Sequence, residues 1–217
     1  VARIGADAAA GLHYAHELRG LDGEPLRVVH RDIGPQNVII TYEGHVKLVD
    51  FGIATSQQDE HRTQHGLVKG KLDYIAPEQL RGEAVDRRAD IFALGVMLWE
   101  AVTGQRFAGG RNVSDPDKIR ARAAGSEPKV RSVKRDVPEE LAAIIDRATA
   151  LDPDARFGDA AEFADALEAF MDARGMRATA KTLSQHMLSL FAAEQAALQK
   201  LIEREINYAD FSVDRQA

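Results

Sequence analysis

Eight consecutive residues carry most of the information in this chain: His30-Arg31-Asp32-Ile33-Gly34-Pro35-Gln36-Asn37. Both Asp32 and Asn37 lie on one polar loop that enters a predicted β-hairpin, so both side chains can face the same cleft. The hairpin strands are expected at residues 38–40 and 46–49, and Asp50 follows the second strand directly. The sequence therefore predicts three oxygen-bearing side chains around one cleft.

These three side chains suit a metal-assisted phosphate chemistry. A carboxylate from Asp50 and the amide oxygen of Asn37 are hard ligands of the kind that Mg²⁺ prefers, with phosphate oxygens and water completing its shell. Asp32 is then not needed as a metal ligand. Its carboxylate can accept the proton of an attacking hydroxyl group and orient that group.

Two further tripeptides occur in a fixed order after this loop. The first tripeptide is Asp50-Phe51-Gly52, which follows the hairpin. The second is Ala76-Pro77-Glu78, which follows a polar stretch at residues 53–73. Each tripeptide alone is a weak signal, because short strings occur by chance. Their order, spacing and structural setting together are specific.

With these motifs the chain resembles the protein kinases, and it is most similar to bacterial members of the eukaryotic-like Ser/Thr kinase family. The resemblance covers residues 1–172 and implies the C-terminal lobe of a kinase catalytic domain. The implied fold is mainly α (α+β), helical with a small β-hairpin at the catalytic cleft. A helical extension is expected at residues 173–217. The resemblance also implies ATP and Mg²⁺ as cofactors and proteins with Ser or Thr acceptors as substrates.

The resemblance assigns roles to individual residues of the site. It implies that Asp32 is the catalytic base and that Asn37 and Asp50 bind Mg²⁺. It also implies that Gln36 lies beside the nucleotide and Ile39 under the adenine ring. His30 would stack beneath Phe51, and the packing of Phe51 with Gly52 would set the active conformation of the site.

Two structural contacts are expected from the same resemblance. Arg156 stands where the buried partner of Glu78 belongs, and a buried carboxylate without its partner is costly. Asp90 matches an aspartate of the central helix that accepts hydrogen bonds from the backbone of the loop at residues 30–37, here called the catalytic loop. We expect Asp90 to hold that loop rigid.

A regulatory role is implied for Arg31, which directly precedes Asp32. In the family such an arginine binds a phosphorylated residue of the activation segment, here residues 53–75. Thr63 is the best-placed acceptor, with Thr55 and Ser56 as further candidates. A phosphate facing Arg31 would make charge-assisted hydrogen bonds and order the segment.

The chain departs from the family pattern at two positions. Ser/Thr kinases usually carry a lysine two residues after the catalytic aspartate, where this chain has Gly34, and a threonine where it has Lys71. We expect Lys71 to reach the space at Gly34 and supply the missing positive charge, which would make it a catalytic residue beside Asp32 and Arg31. The alternative is that Gly34 marks a weakened or inactive kinase.

A third departure concerns the segment before the catalytic loop. No Gly-rich phosphate loop, strand lysine or helix glutamate precedes His30 in this sequence. We therefore expect the given chain to lack the N-terminal lobe and to be inactive alone. A pseudokinase or scaffold lobe that binds partners is the alternative function, although such a lobe has no need of Asp32, Asn37 and Asp50 together. A small-molecule kinase is disfavoured by Glu78 and its motif.

Composition excludes several other classes of protein. The 217 residues carry a net charge of −6, which gives no support to nucleic-acid binding, and we expect no nucleic-acid partner. The absence of cysteine excludes disulfides, thiolate zinc sites and thiol nucleophiles, and it is compatible with the cytoplasmic location that we expect. The longest apolar stretch, at residues 91–99, is too short to cross a bilayer.

Periodicity predicts the following elements: helices over residues 2–18, 91–102, 116–124, 138–150, around 163–171 and over 183–206, with a short strand at 26–29. The helix at 91–102 is apolar nearly all round and should be buried. The basic region at residues 111–135 is expected on a solvated face, with substrate or partner docking as the alternative. The apolar stripe at residues 183–206 suits either a dimerising helix or a helix folded back onto the lobe.

Overall fold

The computed structural model describes residues 1–51, 71–109, 113–176 and 178–213, with side chains described throughout except at 71 and 205–213. The chain divides into two compact units. The first comprises Val1–Ile39 and Val46–Arg177, and the second comprises Ile40–His45 and Ala178–Ala217. The kinase-like fold predicted from the motifs belongs to the first unit.

The described residues are mainly helical, as predicted. Their helices are α1 Ala2–His16, α2 Pro77–Arg81, α3 Arg88–Thr103, α4 Asp115–Ala124, α5 Val130–Val133, α6 Glu139–Ala148, α7 Ala160–Ala173 and α8 Ala180–Val213. A two-stranded sheet pairs β1 Val38–Ile40 with β2 Val46–Leu48. The short helix α5 was not predicted from the sequence.

Helix α3 is the centre of the first unit. Apolar residues cover almost its whole circumference, and Ile91, Leu94 and Val96 are each 1% exposed or less. The helix ends at Gly104, whose φ of 72° is the left-handed C-cap conformation that glycine adopts at little cost. It packs against α1, α5, α6 and α7. Side chains placed on α3 are therefore held by packing on all sides.

Helices α1 and α7 form the largest contact between helices in the first unit. The apolar face of α1, with Leu12 fully buried, packs against α7, where Phe163 and Leu167 are also fully buried. Helix α1 also contacts β2 and α3. It therefore joins the hairpin that precedes Asp50 to the helical core.

The predicted strand at residues 26–29 is wrong. An isolated antiparallel bridge joins Arg19 to Pro25, and the N–H of Leu26 donates to the carbonyl of Leu18 at 2.9 Å, but no strand follows. A strand needs a neighbour that accepts its hydrogen bonds, and no described segment pairs with these residues. Leu26 itself is 55% exposed.

The second unit contains the hairpin turn and helix α8. The helix is broken at Phe191, where φ is −130° and ψ is 27°. Gly44 in the turn has a φ of 83°, and a Cβ there would collide with the carbonyl oxygen of Ala180 at the start of α8. The apolar stripe predicted on this helix is half-exposed at Leu190 and Leu201.

None of the helices in the described ranges is both long enough and apolar enough for a membrane span.

A buried ion pair connects α2 to the rest of the first unit. The Nη1 and Nη2 atoms of Arg156 each donate to one carboxylate oxygen of Glu78 at 2.8 Å, and the two side chains are 0% and 3% exposed. Arg156 also donates to the carbonyls of Arg88 and Ala150. This is the contact expected from the sequence, and every donor of the fork has a partner.

We predict that Arg156→Met destabilises the fold by about 3–5 kcal/mol, because it leaves the Glu78 carboxylate buried without its partner. Urea unfolding monitored by circular dichroism measures this loss. The matched control is Arg81→Ala, whose partner Glu83 is 52% exposed, and it should leave the urea midpoint essentially unchanged. Equal effects of the two substitutions would contradict the structural role of the pair.

Candidate active site

The catalytic loop is held by the carboxylate of Asp90. The Oδ1 atom accepts from the N–H of Arg31 and the Oδ2 atom accepts from the N–H of His30, both at 2.8 Å. The Nε2 atom of His16 lies 2.8 Å from the same Oδ2. Asp90 is 1% exposed and His16 is 2% exposed. Because an ionised carboxylate can only accept hydrogen bonds, Nε2 of His16 carries the proton in this arrangement.

The sequence analysis did not identify His16 as a residue of the site. A signal for its burial was present, since His16 continues the spacing of Ala8 and Leu12 on the buried face of α1. Its partner, however, lies 74 positions away. Nothing local in the sequence indicates that pairing.

Two non-glycine residues of the site have left-handed backbone conformations. The φ angles are 63° at Arg31 and 59° at Asp50. This region is unfavourable for residues with a Cβ atom and persists where surrounding contacts enforce it. At Arg31 the enforcing contact is the hydrogen bond from its N–H to Asp90. Asp50 directly follows Val49, which is bonded to the catalytic loop.

Asn37 links the catalytic loop to the second strand. Its Nδ2 atom donates to the carbonyl of Asp32 at 2.7 Å, and its own carbonyl accepts from the N–H of Val49 at 3.1 Å. The Nε2 atom of His30 lies 2.9 Å from the Val49 carbonyl oxygen. These three bonds join the backbones around Asp32, Asn37 and Asp50, the residues that the sequence predicted to share a cleft.

The donor chemistry of this group fits a hard cation. The amide nitrogen of Asn37 is committed to the Asp32 carbonyl, which leaves the amide oxygen available to a cation. Asp50 is exposed and supplies a carboxylate. One amide oxygen and one carboxylate, completed by phosphate and water, suit Mg²⁺. Ile39 on β1 is 46% exposed, so its apolar side chain is accessible beside the site.

The rings of His30 and Phe51 are in contact, as the sequence analysis expected. Their centroids lie 4.5 Å apart, and the planes are tilted by 44° rather than parallel. His30 is fully buried. Gly52 and Thr63, with the other candidate phosphate acceptors, lie outside the described residues. Lys71 begins a short 3₁₀ turn, Lys71–Asp73, and its side chain is likewise outside them.

Asp32 and Gln36 line a cavity of about 60 Å³. Its other lining residues come from the catalytic loop, from the segment before α2, from α2 itself and from α3: Arg31, Ile33, Tyr74, Ile75, Gln79, Ala89, Asp90 and Ala93. The candidate catalytic base therefore faces the same cavity as residues 74–75. We call residues 73–75 the docking segment.

Buried polar contacts fix the docking segment. The guanidinium of Arg122 on α4 donates to the carbonyls of Asp73 and Ile75, and Lys118 donates to the Asp73 carboxylate at 2.7 Å. Arg122 is 2% exposed and is also paired with Glu127, although burial still lowers its pKa. The expectation that the region at 111–135 is a solvated face is therefore wrong at Arg122.

The hydroxyl of Tyr74 is also held on both sides. It donates to Oε2 of Glu100 at 2.8 Å and accepts from Nη1 of Arg106 at 2.9 Å. Burial and the bond to Glu100 both raise the pKa of Tyr74, so its hydroxyl stays protonated and remains a donor. The docking segment is thus fastened to α3 as well as to α4.

Comparison with known proteins agrees with this geometry. A family model described as the protein kinase domain matches residues 1–170. The chain belongs to the protein kinase family, and its relatives include eukaryotic-like kinases of several bacteria.

The tyrosine-protein kinase MasK of Myxococcus xanthus (strain DK1622) is 50% identical over 171 residues, which cover 79% of this chain and 26% of MasK. The serine/threonine-protein kinase PknB of Mycolicibacterium smegmatis is 37% identical, with 72% of this chain and 24% of PknB covered. PrkC of Bacillus subtilis, also named a serine/threonine-protein kinase, is 36% identical over 68% of this chain and 22% of PrkC. The chain thus spans about a quarter of the length of these curated relatives.

Among solved structures, the PknI kinase domain of Mycobacterium tuberculosis has the same fold. It superposes with a TM-score of 0.52 at 30% sequence identity, covering 77% of this chain and 53% of the PknI chain.

We predict that Asp90→Asn loosens the catalytic loop. The substitution removes the charge from two hydrogen bonds, each worth about 1.5–3 kcal/mol, so the amides of His30 and Arg31 should exchange hydrogen roughly 10- to 100-fold faster. Hydrogen exchange followed by NMR or mass spectrometry measures this change. Asp7→Asn is the control, since Asp7 pairs with Arg3 within α1. Unchanged exchange in Asp90→Asn would contradict the anchoring role.

Proposed function

We propose that this chain is the C-terminal lobe of a protein kinase that transfers the γ-phosphoryl group of ATP to Ser or Thr hydroxyls of proteins. One observation carries the proposal: the loop anchored on Asp90 joins Asp32 and Asn37 to the strand that ends before Asp50. This is the set of groups that phosphoryl transfer needs for a base and a metal.

In this proposal each group has a defined task. The acceptor hydroxyl oxygen attacks the γ-phosphorus, the bond from that phosphorus to the ADP oxygen breaks, and the hydroxyl proton passes to the Asp32 carboxylate. Asn37 and Asp50 hold Mg²⁺, which when bound neutralises charge on the phosphate oxygens. Asp90 fixes the loop, so that Asp32 is placed before the substrate arrives.

The docking segment supports a protein substrate. Its backbone is bound by Arg122 and its Tyr74 hydroxyl by Glu100, so it offers a rigid edge beside the cavity that Asp32 lines. A pre-ordered edge suits an extended peptide, because little ordering entropy remains to be lost on binding.

The acceptor class has two candidates. PknB and PrkC are named serine/threonine-protein kinases, which agrees with the Ser/Thr assignment from the sequence. MasK, at 50% identity, is named a tyrosine-protein kinase, and this relationship favours tyrosine as the second candidate. We propose Ser and Thr as the acceptors. A pseudokinase lobe that only binds partners stays the alternative to catalysis.

A kinase also needs a lobe that covers the nucleotide. We propose that this lobe is supplied from outside these 217 residues, and that the chain alone transfers no phosphate. Helix α8, Ala180–Val213, is the described part of the helical extension expected at residues 173–217, and its dimerisation remains a prediction. An ATP-dependent enzyme without cysteine fits a cytoplasmic location.

We predict that Asp32→Asn, in a version of the protein that includes its nucleotide-covering lobe, lowers kcat by about 10²- to 10⁴-fold, because the base is lost. Transfer of labelled phosphate from ATP, followed by phosphoamino-acid analysis, measures the rate and the acceptor class together. Asp165→Asn, on an exposed part of α7, should leave both unchanged. Wild-type protein without transfer would contradict kinase function, and phosphotyrosine alone would select the second candidate.

We predict that Lys71→Ala and Lys71→Thr each lower kcat by about 10²-fold or more, because the cation that compensates for Gly34 is removed from the phosphoryl group. The same transfer assay measures this effect, and Lys181→Ala on the exposed face of α8 is the control. A Lys71 variant with full activity would refute the compensation.

A further inference from the structure

Gly34 is buried in the catalytic loop, yet its backbone does not require glycine. Its φ of −169° and ψ of 172° are extended values that any residue adopts. A residue with a side chain would therefore be compatible with the local backbone. The reason for glycine at this position must lie in what surrounds it.

The space beside Gly34 is filled by the carboxamide of Gln36. A Cβ atom built on Gly34 would lie 2.7 Å from Oε1, 2.8 Å from Nε2 and 3.1 Å from Cδ of Gln36, and its three nearest neighbours all belong to that one group. The Gln36 side chain thus turns back over the bare α-carbon. Any side chain at position 34 would displace the end of Gln36 rather than the backbone.

The fold of the loop directs Gln36 to this place. Residues Pro35–Asn37 form a single 3₁₀ turn, and the N–H of Asn37 donates to the carbonyl of Gly34 at 3.0 Å. Asn37 is in turn bonded to the carbonyl of Asp32. Gln36 therefore projects from a short turn whose two ends are fixed, and it lines the same cavity as Asp32.

We propose that the Gln36 carboxamide contacts the transferred phosphoryl group beside Asp32, and that Gly34 is present to leave room for it. This inference rests on the kinase function proposed above and assigns Gln36 a task besides contact with the nucleotide. Its Nε2 donates a hydrogen bond to a γ-phosphoryl oxygen while the hydroxyl oxygen bonds to phosphorus and ADP departs. The proton still goes to Asp32, and Gln36 neither gains nor loses one.

A neutral donor at this position is chemically adequate for the role. A hydrogen-bond donor that is already in place stabilises charge on phosphoryl oxygens without reorganising in the transition state. The carboxamide also keeps its oxygen as an acceptor, so the group can orient the acceptor hydroxyl at the same time. The Gln36 carboxamide thus takes the space at Gly34 that the sequence analysis expected Lys71 to reach. Gln36 and Lys71 would then approach the phosphoryl group separately, and loss of one should not remove the contribution of the other.

The test uses the kinase with its nucleotide-covering lobe and measures kcat, KM for a peptide substrate and the melting temperature. Gln36→Ala should lower kcat by about 10- to 100-fold with little change in KM, because a donor to the transition state is removed. Gly34→Ala should lower kcat similarly, since its methyl group displaces the carboxamide, and the double variant should be no slower than either single variant. All three should melt within a few degrees of the wild type.

Two further variants separate catalysis from structure. Gln36→Glu keeps the shape but replaces the donor by a second acceptor, so it should be at least as slow as Gln36→Ala. Gly158→Ala is the matched control, because a Cβ there lies 3.5 Å or more from its neighbours and φ is not left-handed. It should leave kcat unchanged.

Full kcat in Gln36→Glu, or additive losses in the double variant, would overturn the inference while leaving the kinase function intact. Wild-type protein that transfers no phosphate would overturn both.

Discussion

The carboxylate of Asp90 is the constraint on which the rest of the site depends. It accepts two backbone N–H groups of the catalytic loop and pairs with His16, and both side chains are buried. A buried carboxylate is stable only when its oxygens are bonded, so the loop and the helix impose their geometry on each other. The left-handed conformation at Arg31 follows from this attachment, and Asp32 is the next residue.

The same helix organises the second half of the site. Phe92, two positions after Asp90, has the guanidinium of Arg122 5.0 Å and that of Arg156 4.7 Å from its ring centroid. Arg122 binds the docking segment and Arg156 binds Glu78 of α2. One turn of α3 thus supports both the proposed catalytic loop, through Asp90, and the proposed substrate edge, through Phe92 and Arg122. Because α3 is packed on all sides, both parts of the site are attached to a helix that the core holds in place.

The sequence predicted those parts of the site that depend on contiguous residues. The loop with Asp32 and Asn37, the hairpin and the residue after it are local patterns, and the helices follow from periodicity. The contacts of Asp90, Glu78 and Arg156 were expected only because the chain resembles a known family. They could not be derived from spacing, since the partners lie 59 to 78 positions apart.

Other features could not be predicted because their cause lies outside the local sequence. Arg122 is a charged residue in a basic stretch, and its burial depends on two aromatic rings and on carbonyls 47 and 49 positions away. Residues 26–29 have strand-like composition but no neighbouring strand in the described part of the chain. The composition of a segment indicates which secondary structure it can form. Whether its backbone pairs and its side chains become buried depends on the neighbours that the fold places beside it.

We propose that the loop held by Asp90 presents Asn37, and the hairpin presents Asp50, to one cation, which leaves Asp32 for the acceptor hydroxyl. A crystal structure of the kinase with a non-hydrolysable ATP analogue and Mn²⁺, located by its anomalous scattering, tests this most directly. The account predicts Mn²⁺ at roughly 2.0–2.3 Å from the Asn37 amide oxygen and from an Asp50 carboxylate oxygen, with Asp32 outside its shell. Mn²⁺ bound by Asp32, or bound away from both Asn37 and Asp50, would contradict it.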